Sequence, residues 1–302
     1  MVFNPDVLFD RRRLKRRLTL WRLVALAALG ALAVALFGRS GGLLERDHVV
    51  RFDIEGVIFD DRDRIATLRT LADAPAIRAV IVHVDSPGGT FSGGEALYRA
   101  LRDLARKKPV AAVMGGTATS AGYMVAVAAD HVVARDGTLT GSIGVILQTA
   151  DVTGLLQKLG VRSEVFKTGP LKAQPNPLEP ITDAAREATK IVIDDLFRQF
   201  VDIVAERRKM ERAAVLKLAD GRIFTGRKAK DLGLIDATGS EAQARAWLAR
   251  ARNVPESVPV RDLDAFPGGS DWRDMLSQYL KKALFSERVK LDGVFALWHP
   301  SI

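Results

Sequence analysis

Residues 79–108 read AVIVHVDSPGGTFSGGEALYRALRDLARKK. The opening six, 79–84, are apolar except for His83 and rich in β-branched side chains, which suits a parallel strand covered on both faces. Pro87, Gly88 and Gly89 then punctuate the chain as a turn. From there Leu97, Leu101 and Leu104 recur at spacings of four and three, the apolar face of a helix, and Ser92 with Glu95 has the S-x-x-E pattern of a capping box. A second buried run, PVAAVMG, follows at 109–115. Strand, glycine turn, helix and strand in this order predict an α/β fold with a mainly parallel sheet.

The same alternation extends both ways. HVVRFDIEG (48–56) reads as a strand and 61–73 as a helix; HVVA (131–134) and GSIGVI (141–146) continue the strands. After Phe166 the stretch KTGPLKAQPNPLEP (167–180) is too proline-rich for regular structure. Thr182 then opens a long helix with Ile193, Leu196, Phe197, Phe200, Val201 and Val204 on one face, and shorter helices are expected near 211–219, 226–232 and 239–250. Trp272, Leu276, Tyr279 and Leu280 mark an amphipathic helix in a C-terminal segment, 263–302, that ends in LDGVFALWHPSI. That apolar end has two readings: packing against a neighbouring subunit, or docking in an active site.

With 302 residues, 48% hydrophobic, the chain can bury a substantial core. It has no cysteine, which excludes disulfides and thiol nucleophiles, and its four scattered histidines make a histidine metal site a poor reading. The net charge of +9 is mostly local, because residues 1–42 carry eight Lys and Arg against two Asp. Nucleic acid is therefore not an expected partner. The arginine cluster Arg11–Arg17 runs directly into an uncharged stretch, Leu23–Phe37. About 20 apolar residues span a bilayer, and basic flanks stay in the cytoplasm. The expected organisation is a cytoplasmic basic segment (1–17), a transmembrane anchor (18–38), a linker (39–47), a folded domain (48–262) and the C-terminal segment. A cleaved signal peptide, with small residues at 31–35, is the rival reading.

TATSAGYMVAVAAD (117–130) places Ser120 where a turn enters an apolar helix. Serine there is commonly a helix cap; as a nucleophile it needs a base. His83 and His131 lie in strand-like runs without an orienting acid at a loop, while His48 adjoins the apolar segment and His299 the C-terminus. Lysine can take the proton instead where burial disfavours its ammonium form. Lys172 sits in the Gly/Pro loop between Leu171 and Ala173, where a rigid backbone could hold it against a pocket, although alone it reads better as a solvated loop lysine.

Taken together and in order, DSPGG, TATSAGYMVAVAAD, TGSIGV and KTGPLKAQPNP resemble the signal peptide peptidase A family of serine–lysine proteases, in its short single-repeat bacterial form. The likeness covers about residues 48–240. It implies a Clp protease/crotonase-like repeated β-β-α fold with an N-terminal transmembrane helix. It also implies Ser120 as nucleophile, Lys172 as general base and Ser142 as the serine that orients the lysine. Gly88 or Gly89, with the Ala121 amide, would form the oxyanion hole. Ala121 stands where many relatives have glycine, and Ala173 where many have a polar residue. No cofactor is implied. The implied partners are signal peptides, the lipid bilayer of a bacterial inner membrane and other copies of the chain in a ring with shared active sites, the catalytic domain facing outward from the cytoplasm. Two alternatives share the fold: an acyl-CoA enzyme, whose carboxylates have no obvious counterpart at 115–150, and a protease-dead membrane scaffold, which intact Ser120, Ser142 and Lys172 disfavour. A histidine-based triad would need His131, the one histidine between Ser120 and Lys172.

Overall fold

The apolar runs of the sequence become the middle of one sheet. In the computed structural model, which describes residues 20–29, 46–263 and 295–297, the chain divides into two compact units, Met1–Arg46 and Asp47–Ile302. In the first, residues 20–29 are helical (α1) and expose Leu20, Trp21, Leu23, Val24, Leu26 and Leu29. The rest of the expected 18–38 span and the basic segment 1–17 lie outside the described residues. Among the described residues no helix is long and apolar enough to cross a membrane.

The second unit runs β1 (His48–Glu55), α2 (Arg62–Asp73), β2 (Ile77–Ser86), β3 (Gly88–Thr90), α3 (Phe91–Ala105), β4 (Val110–Thr119), α4 (Ala121–Ala126), β5 (His131–Ala134) and β6 (Leu139–Gly141). After α5 (Thr153–Lys158) and the long α6 (Asp183–Arg208) come α7 (Arg212–Leu216), β7 (Ile223–Thr225), α8 (Gly226–Asp231), β8 (Ala237–Thr238), α9 (Glu241–Arg252), β9 (Val260–Asp262) and β10 (Phe295–Leu297). The large sheet has the order β7-β6-β4-β2-β1-β9, with β5 paired to both β4 and β8. Its pairings are parallel except β6 with β7. A second, two-stranded sheet pairs β3 with β10.

Strand side chains alternate between faces, and each face has its own core. Val50, Phe52, Ile54, Val80, Val82, Val84, Ala112 and Met114 pack beneath α2, α3, α4 and α6. Val49, Ala79, Ile81, Ala111, Val113 and Val133 meet Ala244 and Leu248 of α9 on the other side. This two-sided cover is why β2 and β4 read as continuous apolar runs rather than alternating ones. Leu97, Leu101 and Leu104 of α3 are buried as the spacing predicts, each contributing about 2 kcal/mol from area removed from water.

Some local expectations are displaced. The cap of α3 is Thr90, whose Oγ1 accepts the Gly93 N–H, so the helix starts before the Ser92–Glu95 pattern. β4 continues past Gly115 to Thr119, because β6 supplies parallel partners for Thr117–Thr119. GSIGVI is not a strand: β6 ends at Gly141, where Ser142 turns to give its N–H to the Arg222 carbonyl. Thr182 does cap α6, accepting from Ala185. The helix expected around Trp272–Leu280 lies outside the described residues.

One ion pair ties the end of α6 to the sheet. Arg208 donates to both carboxylate oxygens of Asp236 (2.8 and 3.0 Å), and the Val132 N–H donates to the same group at 2.7 Å. Burial pushes the Asp236 carboxyl up, but the Arg208 bonds and charge with the Val132 N–H outweigh it and hold it below the usual carboxylate range. Such a carboxyl contributes stability at neutral pH that is lost as pH falls through its folded-state value. Asp236→Asn leaves Arg208 without its counter-charge and should cost about 3 kcal/mol in urea unfolding at pH 7. The gap to the parent should narrow as the buffer is made acidic.

Candidate active site

Ser120 joins β4 to α4 with φ 55° and ψ −121°, and it is 1% exposed. A non-glycine residue at positive φ stores about 1–3 kcal/mol and persists only where its surroundings enforce it. Those surroundings are visible. The Ser120 N–H donates to the Gly141 carbonyl at 2.9 Å, and the Ser120 carbonyl accepts the Met124 N–H at 2.9 Å. Thr119 is paired with Gly141 in the register of β4 and β6. Although Ser120 occupies the N-cap position, its side chain makes no capping hydrogen bond. Its hydroxyl is therefore not used to start the helix.

The adjacent strand end brings Ser142 into the same region. It follows Gly141 directly, has φ 49° and is buried. An open groove of about 460 Å³ begins at Ser142 and runs along Val145, Ile146, Ile193, Asp194 and Phe197.

The glycine turn comes in from the other side. Ser86 pairs with Ala118, and Thr119 Oγ1 donates to the Pro87 carbonyl at 3.0 Å. Gly88 and Gly89 then differ. The Gly88 N–H donates to Ser86 Oγ at 3.1 Å, and its carbonyl accepts the Ile58 N–H at 2.8 Å. The Thr90 N–H donates to the Ile58 carbonyl at 2.9 Å. Successive peptide groups in a strand point to opposite edges, so the Gly89 N–H and carbonyl face away from Ile58. Glycine is required at 89, because a Cβ there would lie 1.8 Å from the Ile58 carbonyl oxygen. The close approach is thus to the protein's own backbone. Ala121 is fully buried, and its methyl faces Gly94 of α3, where an added Cβ would lie 2.9 Å away. A glycine in the neighbouring helix makes room for the alanine.

The far end of α4 is secured by cations. Arg207 donates to the Val127 and Ala129 carbonyls (both 3.0 Å) and Arg102 to the Ala128 carbonyl (2.6 Å). Positive charge at a helix C-terminus is favourable and satisfies carbonyls that the helix itself cannot. Tyr123, fully buried, donates its phenol to the Leu234 carbonyl. Of these supports only Ser86 had a local signal, a serine ahead of a Pro-Gly turn; the rest join residues distant in sequence.

Lys172 does not join this group within one chain. It is exposed, whereas Ser120 is buried, and among the described residues its ammonium makes no hydrogen bond or ion pair. The loop is nonetheless braced. One oxygen of Glu179 accepts from Lys167 Nζ at 2.6 Å, from Asn176 Nδ2 at 3.3 Å and from Gln174. The Lys167 bond, chiefly, holds the Glu179 carboxyl below its ordinary range.

The histidines lie elsewhere. His83 stands on β2 with Nδ1 3.7 Å from Asp53, and His131 on β5 with Nδ1 3.9 Å from Asp236. Each has a carboxylate neighbour that the sequence did not signal. His131 stacks on Trp247 at 4.8 Å, and burial pushes its imidazole below the ordinary value. Both are strand residues, as the sequence reading held.

The site therefore brings together a strained serine, helix-start amides beside it and a glycine edge whose N–H faces away from Ile58, groups of the kind that can serve acyl chemistry. Residues 102–255 match the profile of peptidase family S49. A Synechocystis sp. protein named as a protease is 37% identical over 222 residues, 72% of this chain and 80% of its own length. An Enterococcus faecium protein named as a signal peptide peptidase is 28% identical over 226 residues, 70% of this chain and 66% of its own. The chloroplastic serine protease SPPA of Arabidopsis thaliana is 33% identical over 217 residues, 70% of this chain and 32% of its own length. By the extent of these matches, the chain belongs to peptidase family S49.

Proposed function

We propose that the chain is a membrane-anchored serine endopeptidase of the Clp protease/crotonase kind of fold, working with a Ser120–Lys172 dyad. The observation that carries this reading is Ser120 itself, held at φ 55° with no capping bond. A serine retained at that cost and not used as a cap is suited to chemistry. In the proposed reaction Lys172, in its neutral form, takes the hydroxyl proton as Ser120 Oγ attacks a peptide carbonyl. The developing oxyanion is met by the Gly89 and Ala121 amides, and Ser142 orients the lysine. The C–N bond then breaks, the proton passes to the leaving amine, and water releases the acyl group from Ser120. Signal peptides left in the membrane are the proposed substrates, supported by the resemblance and by the relative named as a signal peptide peptidase.

Exposure of Lys172 favours a site completed by a second subunit. Around it the loop region exposes apolar side chains with no cover in one chain, among them Leu155, Leu159, Val165, Leu178 and Phe166, the last 94% exposed. Leu171, next to Lys172, is exposed as well. A surface of this kind asks for a partner. The groove at Ser142 is a different surface, and a contact between two different surfaces closes into a ring when the rotation allows. The proposal is a cyclic homo-oligomer in which Lys172 of one subunit serves Ser120 of the next.

The chemistry is tested by turnover of a synthetic signal peptide in detergent. Ser120→Ala and Lys172→Arg should each lose about 10⁴-fold or more, the latter because guanidinium stays protonated. Ser142→Ala should lose less, about 10- to 100-fold. A folded Lys172→Arg protein that retains substantial turnover rules out the dyad.

Sharing is tested by mixing. Ser120→Ala and Lys172→Ala proteins, dead alone, should regain activity when co-assembled, with roughly a quarter of interfaces complete at equal ratio. Verified mixed oligomers without activity place the dyad within one chain. For the anchor, motivated by Arg11–Arg17 and Leu23–Phe37, a reporter fused after residue 302 should be active only when exported. A mature N-terminus near residues 34–38 would instead mark a secreted enzyme.

A further inference from the structure

The parallel pairing of β2 with β4 runs out just short of Ser120. Its last pair is Ser86 with Ala118, reached through an irregularity in which β2 passes from Val84 to Ser86 while β4 passes from Met114 to Ala118. Asp85 Oδ1 bridges that irregularity by accepting the Thr117 N–H at 2.9 Å. Beyond it a hydroxyl takes over from the ladder. Thr119, fully buried, donates Oγ1 to the Pro87 carbonyl at 3.0 Å. The N–H of the same peptide group, that of Gly88, donates to Ser86 Oγ at 3.1 Å. Both ends of the Pro87–Gly88 peptide are therefore gripped by side chains.

The grip matters because the backbone here has little steric hold of its own. Gly88 sits at φ 116° and a second glycine follows it, so side-chain bulk does not fix which way these peptide groups point. Hydrogen bonds must do so. Ser120 is placed by β6, through the Gly141 carbonyl. Gly89 is placed by the β1–α2 connection, where Ile58 gives its N–H to the Gly88 carbonyl (2.8 Å) and accepts the Thr90 N–H (2.9 Å). Thr119 joins these two frames: its backbone pairs with Gly141, its hydroxyl holds the turn, and Ser120 is the next residue. A β-branched side chain has few χ1 states, so the place of Oγ1 follows closely from that of the strand.

We propose that Thr119 is a positioning residue that sets the glycine turn at the distance from Ser120 at which the Gly89 N–H meets the oxyanion. This rests on the assignment of Ser120 and Gly89 to the active site. Thr119 acts through the Pro87–Gly88 peptide and touches neither substrate nor reacting atoms. Its effect falls on the transition state and not on substrate binding, because the oxyanion develops only during reaction.

The test uses the full-length protein in detergent with a short fluorogenic peptide. Thr119→Val keeps the shape and removes the hydroxyl; it should lower kcat by about 10- to 100-fold at unchanged KM. A peptide aldehyde, whose oxygen takes the oxyanion position once its carbon is bonded to Ser120, should bind more weakly by the same factor. Thr119→Ser returns the hydroxyl and should bring both values to within about threefold of the parent, the remainder reflecting the lost β-branch. Ser86→Ala releases the other end of the same peptide group, so combining it with Thr119→Val should be little worse than the poorer single variant. Losses that multiply overturn action through that peptide. A side chain that only supports the fold would lower the unfolding temperature while leaving kcat per folded enzyme and aldehyde affinity unchanged. That result overturns the proposal, as does a loss that Thr119→Ser does not restore. Thr119→Ala carries the same expectation as valine and decides the matter if the valine protein does not fold. Full turnover by Ser120→Ala removes the site assignment itself. A dead Ser120→Ala beside an unaltered Thr119→Val removes this proposal alone.

Discussion

The hydrogen bond from the Ser120 N–H to the Gly141 carbonyl (2.9 Å) closes the junction at which β4, α4 and β6 meet. It can form only if β6 lies beside β4 in the register that pairs Thr119 with Gly141. Given that register, Ser120 leaves the sheet at positive φ and the chain turns at once into α4. Ser142 follows on the neighbouring strand end, its own N–H tied to Arg222 just ahead of β7. A strain of about 1–3 kcal/mol at Ser120 is small against the buried apolar area on both faces of the sheet, so the fold can maintain it.

The same junction explains the polar groups gathered around α4. Val127, Ala128 and Ala129, which follow the buried helix, are themselves buried, so water does not readily satisfy their carbonyls, and unpaired buried carbonyls are costly. Arg102 and Arg207 meet that demand from α3 and α6. Ser86 does the same for the turn into β3, receiving the Gly88 N–H. The serine, the glycine turn and the helix amides are thereby fixed relative to one another by backbone bonds rather than by flexible side chains, which suits groups that must be ready before a substrate arrives.

The loop that carries Lys172 obeys a different rule. It is organised locally, around the Glu179 carboxylate, instead of by packing on the core. Its apolar residues face outward. One half of the proposed chemistry is thus built into the sheet, and the other half is carried on an arm. The β3 edge lies between these two regimes, since it is fixed by Ile58 on one side and paired with β10 on the other.

The amino-acid sequence by itself determined what short-range pattern can determine. Continuous β-branched runs meant buried parallel strands, leucines at three and four residues meant α3, and the order of four motifs meant the family. Local pattern did not decide whether Ser120 caps its helix, because a cap and a strained junction use the same residue types at the same place. It favoured Ser92 over Thr90 as the start of α3, since side-chain chemistry alone does not reveal where the preceding strand stops. It extended β6 through GSIGVI, because only the pairing with β4 and β7 shows where partners run out. It left the place of Lys172 open, because a loop's direction depends on what it packs against. The ties of Arg208 to Asp236 and of Gly89 to Ala296 were silent for a plain reason. Each joins residues far apart in the chain, and only the folded chain brings them together.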